Sequence, residues 1–471
     1  MLDTPPAPAW LTRPTDVNAL DPALWPDSMA REPDGNVAVG GVTVTSLLEQ
    51  HGSPLWVLDK GTVVAQARRI RDALSDAFAP LGVRTQINYA SKALLTAELL
   101  RWLVAEGLNV DVSTGGELGL ALAAGIPGER LELHGNNKSD AELGAAISSG
   151  VGLVIIDSAE EVDRVAAVAA RHRVRQRVLL RVVTGVSAHT HEFLRTAGFD
   201  QKFGVPETDL PSAVQRLRAA EEAGTLEFVG LHSHIGSQIF DTAGFSDAID
   251  VLCGVLAEIS PSRGLPLLNL GGGFGISYTP EDDPTPIETI MTGFADALAR
   301  ASRAHGIPVP SVSLEPGRFI VGRAGITLYE VGAIKDVPVD ETGVTRRRYV
   351  AVDGGMSDNP RPELYQAQYS VVLASRASDA PPVLCRVVGK HCETGDIVVH
   401  DCYLPEDVRR GDILAVAATG AYTFALSSNY NMVSRPAVVA VAHGQSSVLI
   451  RAETLDDLVA RDAGVHGPAQ A

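Results

Sequence analysis

Three features of the sequence predict a (β/α)8 barrel joined to a smaller antiparallel β domain. From about residue 60, eight short strand-like runs alternate with longer segments of helical spacing. Polar residues recur at the C-terminal ends of those runs, where a barrel of this type carries its active site. After about residue 322 the pattern changes to short, β-branched runs separated by Gly, Pro and Asp, as an antiparallel sheet requires.

The eight runs are 84–89, 108–113, 131–134, 152–157, 177–183, 227–234, 267–270 and 311–315. In that order their ends bear Lys92, Asp111, His134, Asp157, Arg181, His234, the glycines Gly271, Gly272 and Gly273, and Glu315. One such placement is chance; eight in register are not. Ala/Leu/Glu/Arg-rich segments such as 117–124, 140–148 and 159–170 supply the crossovers. In the second domain the runs are 326–331, 348–352, 383–388, 396–399, 413–418, 437–442 and 448–452. Residues 37–44 and 55–58 are also strand-like and are expected to join it, making that domain discontinuous. The organisation read from this is an N-terminal extension with strands at 1–58, a cofactor-binding barrel at 59–321 and a β domain at 322–471. Residues 1–30 and 463–471, rich in Pro, Ala and Asp, are expected to be mobile or laid on the surface.

Composition excludes several function classes. A chain of 471 residues exceeds one ordinary core, and 45% hydrophobic content with 45 glycines fits a packed, turn-rich globular protein. The net charge of −18, without a sizeable basic cluster, argues against nucleic acid or an anionic membrane as partner. No 18-residue apolar run and no leader pattern is present, so neither membrane span nor signal peptide is expected. Cys253, Cys385, Cys392 and Cys402 lack metal-site spacing and are too few for a disulfide scaffold, which points to a reducing cytoplasm.

The chemistry-bearing residues form a set. Lys92 supplies an amine at a strand end. The turn Gly271-Gly272-Gly273 lets backbone N–H groups approach an anion. Glu315 and Arg318 flank a Pro-Gly turn, and Cys392 lies between His391 and Glu393 in a polar loop. An amine, a phosphate cradle, a carboxylate beside an arginine and a thiol are the parts a pyridoxal-phosphate enzyme needs. A carboxylate paired with the pyridine nitrogen keeps it protonated and makes the ring an electron sink. His232 and His234 share a strand face, but no third ligand has suitable spacing, so no metal is expected. An imidazole stacked on a cofactor ring fits better, and Ser237 could then bind phosphate.

With these motifs assembled, the chain resembles the fold-type III pyridoxal-phosphate decarboxylases, the alanine-racemase-like barrel group. Within that group it resembles the enzymes acting on meso-diaminopimelate. The resemblance covers about residues 50–445 and rests on segments 89–92, 111–118, 134–139, 189–192 with 202–204, 230–238, 269–275, 315–318, 353–369, 389–396 and 419–431. It implies that Lys92 bears the cofactor covalently, that His234 stacks on its ring and that Glu315 pairs with its ring nitrogen. Ser237, Gly273 and the Glu315-to-Arg318 turn would hold the phosphate, with Tyr422 covering it and Asp111, Gly271, Gly272 and Gly317 completing the cofactor site. Arg318, Arg361, Tyr365, Glu393 and Tyr422 would contact substrate, with Cys392 as proton donor. It further implies a head-to-tail homodimer whose Cys392 loop completes the partner's site. The expected reaction, the last step of lysine biosynthesis, gives L-lysine and CO2. Ornithine-type relatives place aspartate after the cysteine, to meet a plain distal ammonium. Here Glu393 follows Cys392, and Arg318 and Arg361 suit a distal carboxylate. The competing expectations are an ornithine-, arginine- or carboxynorspermidine-type decarboxylase, an amino-acid racemase, and a non-catalytic homologue that binds the cofactor.

Overall fold

A computed structural model describes residues 7–186, 201–259, 261 and 264–466. Segment 189–192 of the resemblance lies outside them. The chain forms two compact units, one of Val64–Ile276 and Pro284–Phe319, the other of Met1–Val63, Ser277–Asp283 and Ile320–Ala471.

The first unit is a closed, all-parallel barrel. Its strands in chain order are Thr85–Ala90, Asn109–Val112, Leu131–Leu133, Leu153–Ile156, Gln176–Arg181, Leu226–His232, Leu267–Asn269 and Ser311–Leu314. All eight coincide with the runs read from the sequence. Their registers bring distant residues to one level: Asp111 pairs with Glu132, Arg181 with His232, and His232 with Asn269. Helices follow the strands because the connecting turns carry N-caps. Thr96, Thr114 and Ser158 each accept the backbone N–H three residues on, and Ser139 with Glu142 forms a capping box. Gly230 sits at a register shift between the fifth and sixth strands, and a Cβ on it would stand 1.9 Å from Leu267 O of the seventh.

The second unit is built on a mixed, mostly antiparallel sheet. Its 14-residue strand Gly325–Pro338 pairs with Leu55–Asp59, Ile413–Val416 and Arg346–Val352. Leu55–Asp59 enters as expected, and it runs parallel to Ala437–Ala442; Arg346–Val352 likewise runs parallel to Pro382–Val388. The 37–44 run behaves differently. Two glycines with positive φ, Gly40 at +60° and Gly41 at +80°, fold it into a tight hairpin. Its strands Val37–Val39 and Val42–Thr43 make a separate three-stranded sheet with Ala30–Arg31. Residues 7–30 are mostly exposed or half-buried, as a surface-laid segment would be, with a buried anchor in which Leu24 and Trp25 are each only 2% exposed. Asn18 bonds both the N–H and C=O of Ser378. Two apolar side chains outweighed the Pro/Asp-rich surroundings. Among the described residues, no helix is long and apolar enough to cross a membrane.

Candidate active site

At the C-terminal end of the first barrel strand, Lys92 lies on a short 3-10 turn, Ser91–Ala93; the following helix starts only at Ala97. Its side chain is 45% exposed, and Nζ stands 3.9 Å from Asp111 Oδ2. The strand end is fixed from two sides. Tyr89 donates its hydroxyl proton to Leu94 O at 2.7 Å, and Ala90 N–H donates to Pro316 O at 3.2 Å. Gly317 permits that second approach, since a Cβ there would meet Ala90 O at 2.9 Å.

The glycine turn interlocks with the eighth strand. Glu315 N–H donates to Gly271 O at 2.8 Å. A Cβ on Gly272 would fall 2.0 Å from Glu315 O, one on Gly273 2.2 Å from Gly236 O, and one on Gly271 2.7 Å from His234 Nδ1. Each glycine is therefore required by a close backbone approach. Gly271 and Gly273, at φ +68° and +103°, also need the conformation L-residues avoid. Half-buried His234 accepts the Gly272 N–H on Nδ1 at 3.1 Å. Loss of water around its imidazole, then the neighbouring Lys92 and Arg181 cations, hold it well below the usual range. Ser237 Oγ accepts from Arg318 Nη2 at 2.9 Å, so those two expected phosphate groups are brought together.

Glu315 is the most elaborately held group. It is 4% exposed, lies 3.1 Å from His134 Nε2 and 3.2 Å from His232 Nε2, and accepts from Asn269 Nδ2 at 2.6 Å. Burial alone would raise its pKa, but the facing imidazoles outweigh that and hold it well below the usual carboxylate range. His134 moves the other way. Burial opposes its charge, yet Asp111 and Glu315 win and raise it to about 10. Burial lowers His232 to about 4, so it is neutral and donates its Nε2 proton to Glu315. The buried Asp111 carboxylate accepts no hydrogen bond from a described residue, and burial pushes its pKa up. A lysine amine beside a buried carboxyl group that accepts no hydrogen bond, the paired Ser237 and Arg318 side chains, and a buried carboxylate at Glu315 fit an aldehyde-bearing heterocycle that carries a phosphate.

The second unit carries the remaining candidates. Its loop between strands Pro382–Val388 and Ile397–Pro405 is knotted by buried Asp396. That carboxylate accepts the N–H of Met356 at 2.6 Å and of His391 at 2.7 Å, with His391 Nδ1 at 3.1 Å. Cys392 and Glu393 next to it are exposed. Cys392 N–H donates to Asn431 Oδ1 at 3.0 Å, and Tyr430 donates to Glu393 at 3.4 Å while stacking on His391. Arg361, 6% exposed, hydrogen-bonds the Tyr369 hydroxyl and lies 4.9 Å from the Tyr278 ring centroid. Tyr365 and Tyr422 are half-buried, and Tyr422 adopts φ +61°, a strained conformation for a bulky residue. Among the described residues no hydrogen bond or ion pair joins Arg361 to Glu393.

Sequence reading passed over Tyr278 and Tyr369, and also Glu132 and Asn269 as functional residues. The strand Leu131-Glu132-Leu133 held the one usable signal, a charged residue between two leucines of a buried run.

Comparison with known proteins agrees with this geometry. The family described as pyridoxal-dependent decarboxylase, pyridoxal binding domain, matches residues 60–322. Diaminopimelate decarboxylase of Mycobacterium tuberculosis is 49% identical over 448 residues, covering 93% of this chain and 98% of that protein. That of Bacillus subtilis is 41% identical over 432 residues, covering 91% and 95%. The solved structure of diaminopimelate decarboxylase from M. jannaschii in complex with L-lysine superposes with a TM-score of 0.83 at 28% identity, covering 93% and 98%. The chain belongs to the pyridoxal-dependent decarboxylases and, within them, to the diaminopimelate decarboxylase family.

Proposed function

We propose that the protein decarboxylates meso-diaminopimelate to L-lysine and CO2 with pyridoxal phosphate as cofactor. The observation that carries this reading is Glu315, buried in the barrel and ionised between a charged and a neutral imidazole, in a chain 49% identical to a diaminopimelate decarboxylase. When bound, the cofactor supplies an electron-withdrawing ring that accepts the electron pair left by the departing CO2.

Lys92 offers the amine that would hold the cofactor and would give it up to the amine of the substrate. The Asp111 carboxyl group lies beside it, Oδ2 standing 3.9 Å from Nζ. Glu315 holds the proton of the ring nitrogen, and the low pKa of its carboxyl keeps it an acceptor. Neutral His234 presents an uncharged face to the ring without competing for that proton. Gly271, Gly272, Gly273, Ser237, Gly317 and Arg318 hold the phosphate, with Tyr422 covering it. Cys392 delivers a proton to the carbon that has lost its carboxylate. Arg361 and Glu393, with Tyr365, Arg318 and Tyr422, hold the distal amino-acid end, which carries one charge of each sign. Two chains share each site, the Cys392 loop acting on the partner's barrel, because closed two-fold dimers are the commonest way to complete such a site. Four free thiols, Cys253, Cys385, Cys392 and Cys402, suit a reducing cytoplasm.

The deciding experiment is lysine formation from meso-diaminopimelate, run beside ornithine, arginine and lysine as substrates. Turnover of meso-diaminopimelate alone is expected. Robust ornithine turnover would move the assignment to the polyamine-type decarboxylases, and no turnover of any substrate to a non-catalytic homologue.

A further inference from the structure

Behind Glu315 the barrel buries a second carboxylate that the reaction described above does not use. Glu132 is the middle residue of the strand Leu131–Leu133 and is 2% exposed. A carboxyl group placed there is kept only with partners, so its partners indicate what it does. Asn269 Nδ2 lies 3.4 Å from Glu132 Oε2 and donates to Glu315 Oε1 at 2.6 Å. His134 Nε2 lies 3.9 Å from Glu132 Oε2 and 3.1 Å from Glu315 Oε1. Gln86 reaches the other oxygen, Oε1, at 3.5 Å. The orientation of the Asn269 amide is not free, because its Oδ1 accepts the Gly271 N–H at 3.0 Å. Asn269 therefore touches the first glycine of the 271–273 turn, Glu315 and Glu132 at once.

We propose that Glu132 is a positioning residue of the decarboxylation site, holding Glu315 and the 271–273 turn as one hydrogen-bonded unit through Asn269 and His134. The ring-nitrogen partner and the phosphate cradle are then set together rather than separately. This rests on the cofactor roles proposed for Glu315 and the glycine turn. Ionisation supports it. Burial pushes the Glu132 carboxyl up to about 7, against the pull of His134 and with Glu315 and Asp111 adding to the rise. Near neutral pH it can carry a proton that Glu315 does not, which limits the negative charge collected around His134.

The test uses cofactor-free protein titrated with pyridoxal phosphate and followed by near-visible absorbance. Glu132→Ala and Asn269→Ala should each weaken binding about 10- to 100-fold, the usual consequence of losing charge-assisted buried bonds. Their double variant should be little worse than either, because the two act through the same contacts. Glu132→Gln keeps the shape and should bind within a few-fold of wild type at about pH 6, where Glu132 is largely protonated.

The melting temperature of cofactor-free protein reads the proton itself. A carboxyl raised from about 4.5 to about 7 on folding adds stability that is complete below the lower value and lost as pH rises through the higher. Glu132→Gln has nothing to lose, so its melting temperature relative to wild type should climb from about pH 5 to about pH 8. Glu315, His134 and Asp111, the titrating groups that face Glu132, are common to both proteins. Wild-type cofactor affinity in Glu132→Ala, or additive losses in the double variant, would overturn the proposal. If Glu132→Ala does not fold, a flat melting difference for Glu132→Gln overturns it. Glu315→Gln separates the two layers: if it too leaves affinity and absorbance unchanged, the cofactor reading has failed, not only this one.

Discussion

The two units hold their candidate residues in opposite ways. In the barrel, Asp111, Glu132, His134, His232 and Glu315 are all buried, and each carboxylate faces at least one imidazole. In the β unit, Cys392 and Glu393 are exposed, Cys392 N–H donating to Asn431 and the Glu393 carboxylate accepting from the Thr394 N–H and the Tyr430 hydroxyl. A buried, mutually bonded cluster is preorganised: its charges are fixed before any ligand arrives, so it can stabilise charge without rearranging. An exposed thiol beside an exposed carboxylate gains its chemistry only when something excludes water from it. The contrast teaches that the barrel fixes its buried candidates against one another before any ligand arrives, while the thiol and carboxylate of the β unit stay open to water.

The largest effect should come from Lys92→Ala. Losing the anchoring amine is expected to lower kcat by on the order of a thousandfold or more, and borohydride treatment of the parent protein should fix the cofactor on the peptide containing Lys92. Labelling of another lysine would dissolve the barrel side of the comparison.

Completion of the β side is tested next. Cys392→Ala should cost about a hundredfold or more in kcat as a lost proton donor. Subunit exchange between Lys92→Ala and Cys392→Ala proteins should then restore roughly a quarter of wild-type activity, since half the dimers regain one intact site of two. Verified heterodimers without recovery would put lysine and thiol in the same chain.

Arg361→Ala should lower kcat/KM by roughly 2–5 kcal/mol of lost transition-state binding, tens- to thousands-fold, with cofactor absorbance unchanged. Glu393→Ala should act in the same sense but more weakly, being exposed. Equal kinetics for Arg361→Ala and wild type would leave that arginine a structural partner of Tyr278 and Tyr369 only.

The smallest effect sharpens how the loop is held. Asp396→Asn should cost about 1–3 kcal/mol in denaturant unfolding and change the alkylation rate of Cys392 a few-fold, because the carboxylate orders three donors beneath the thiol. Unaltered alkylation would mean that Asn431 alone sets the thiol's place.

Much of this protein was determined by the sequence alone. Barrel strands and their order are legible because buried parallel strands must be short apolar runs, and because crossovers need helical spacing and caps such as Thr96, Thr114 and Ser139. Lys92, the glycine turn, Glu315 and Cys392 stand out as candidates too, since each combines a distinctive residue type with a strand end or polar loop. The fate of residues 37–44 was not, because a glycine pair that folds a hairpin and a strand that joins a large sheet share one alternating pattern. Nor was the burial of Trp25 within a Pro/Asp-rich segment. Glu132 and Asn269 show the limit most sharply. They lie 137 residues apart, and Asn269 is 46 residues from Glu315, so no local pattern links them. Only closure of the barrel, which sets strands from across the chain around one buried interior, turned three scattered polar residues into a single hydrogen-bonded unit.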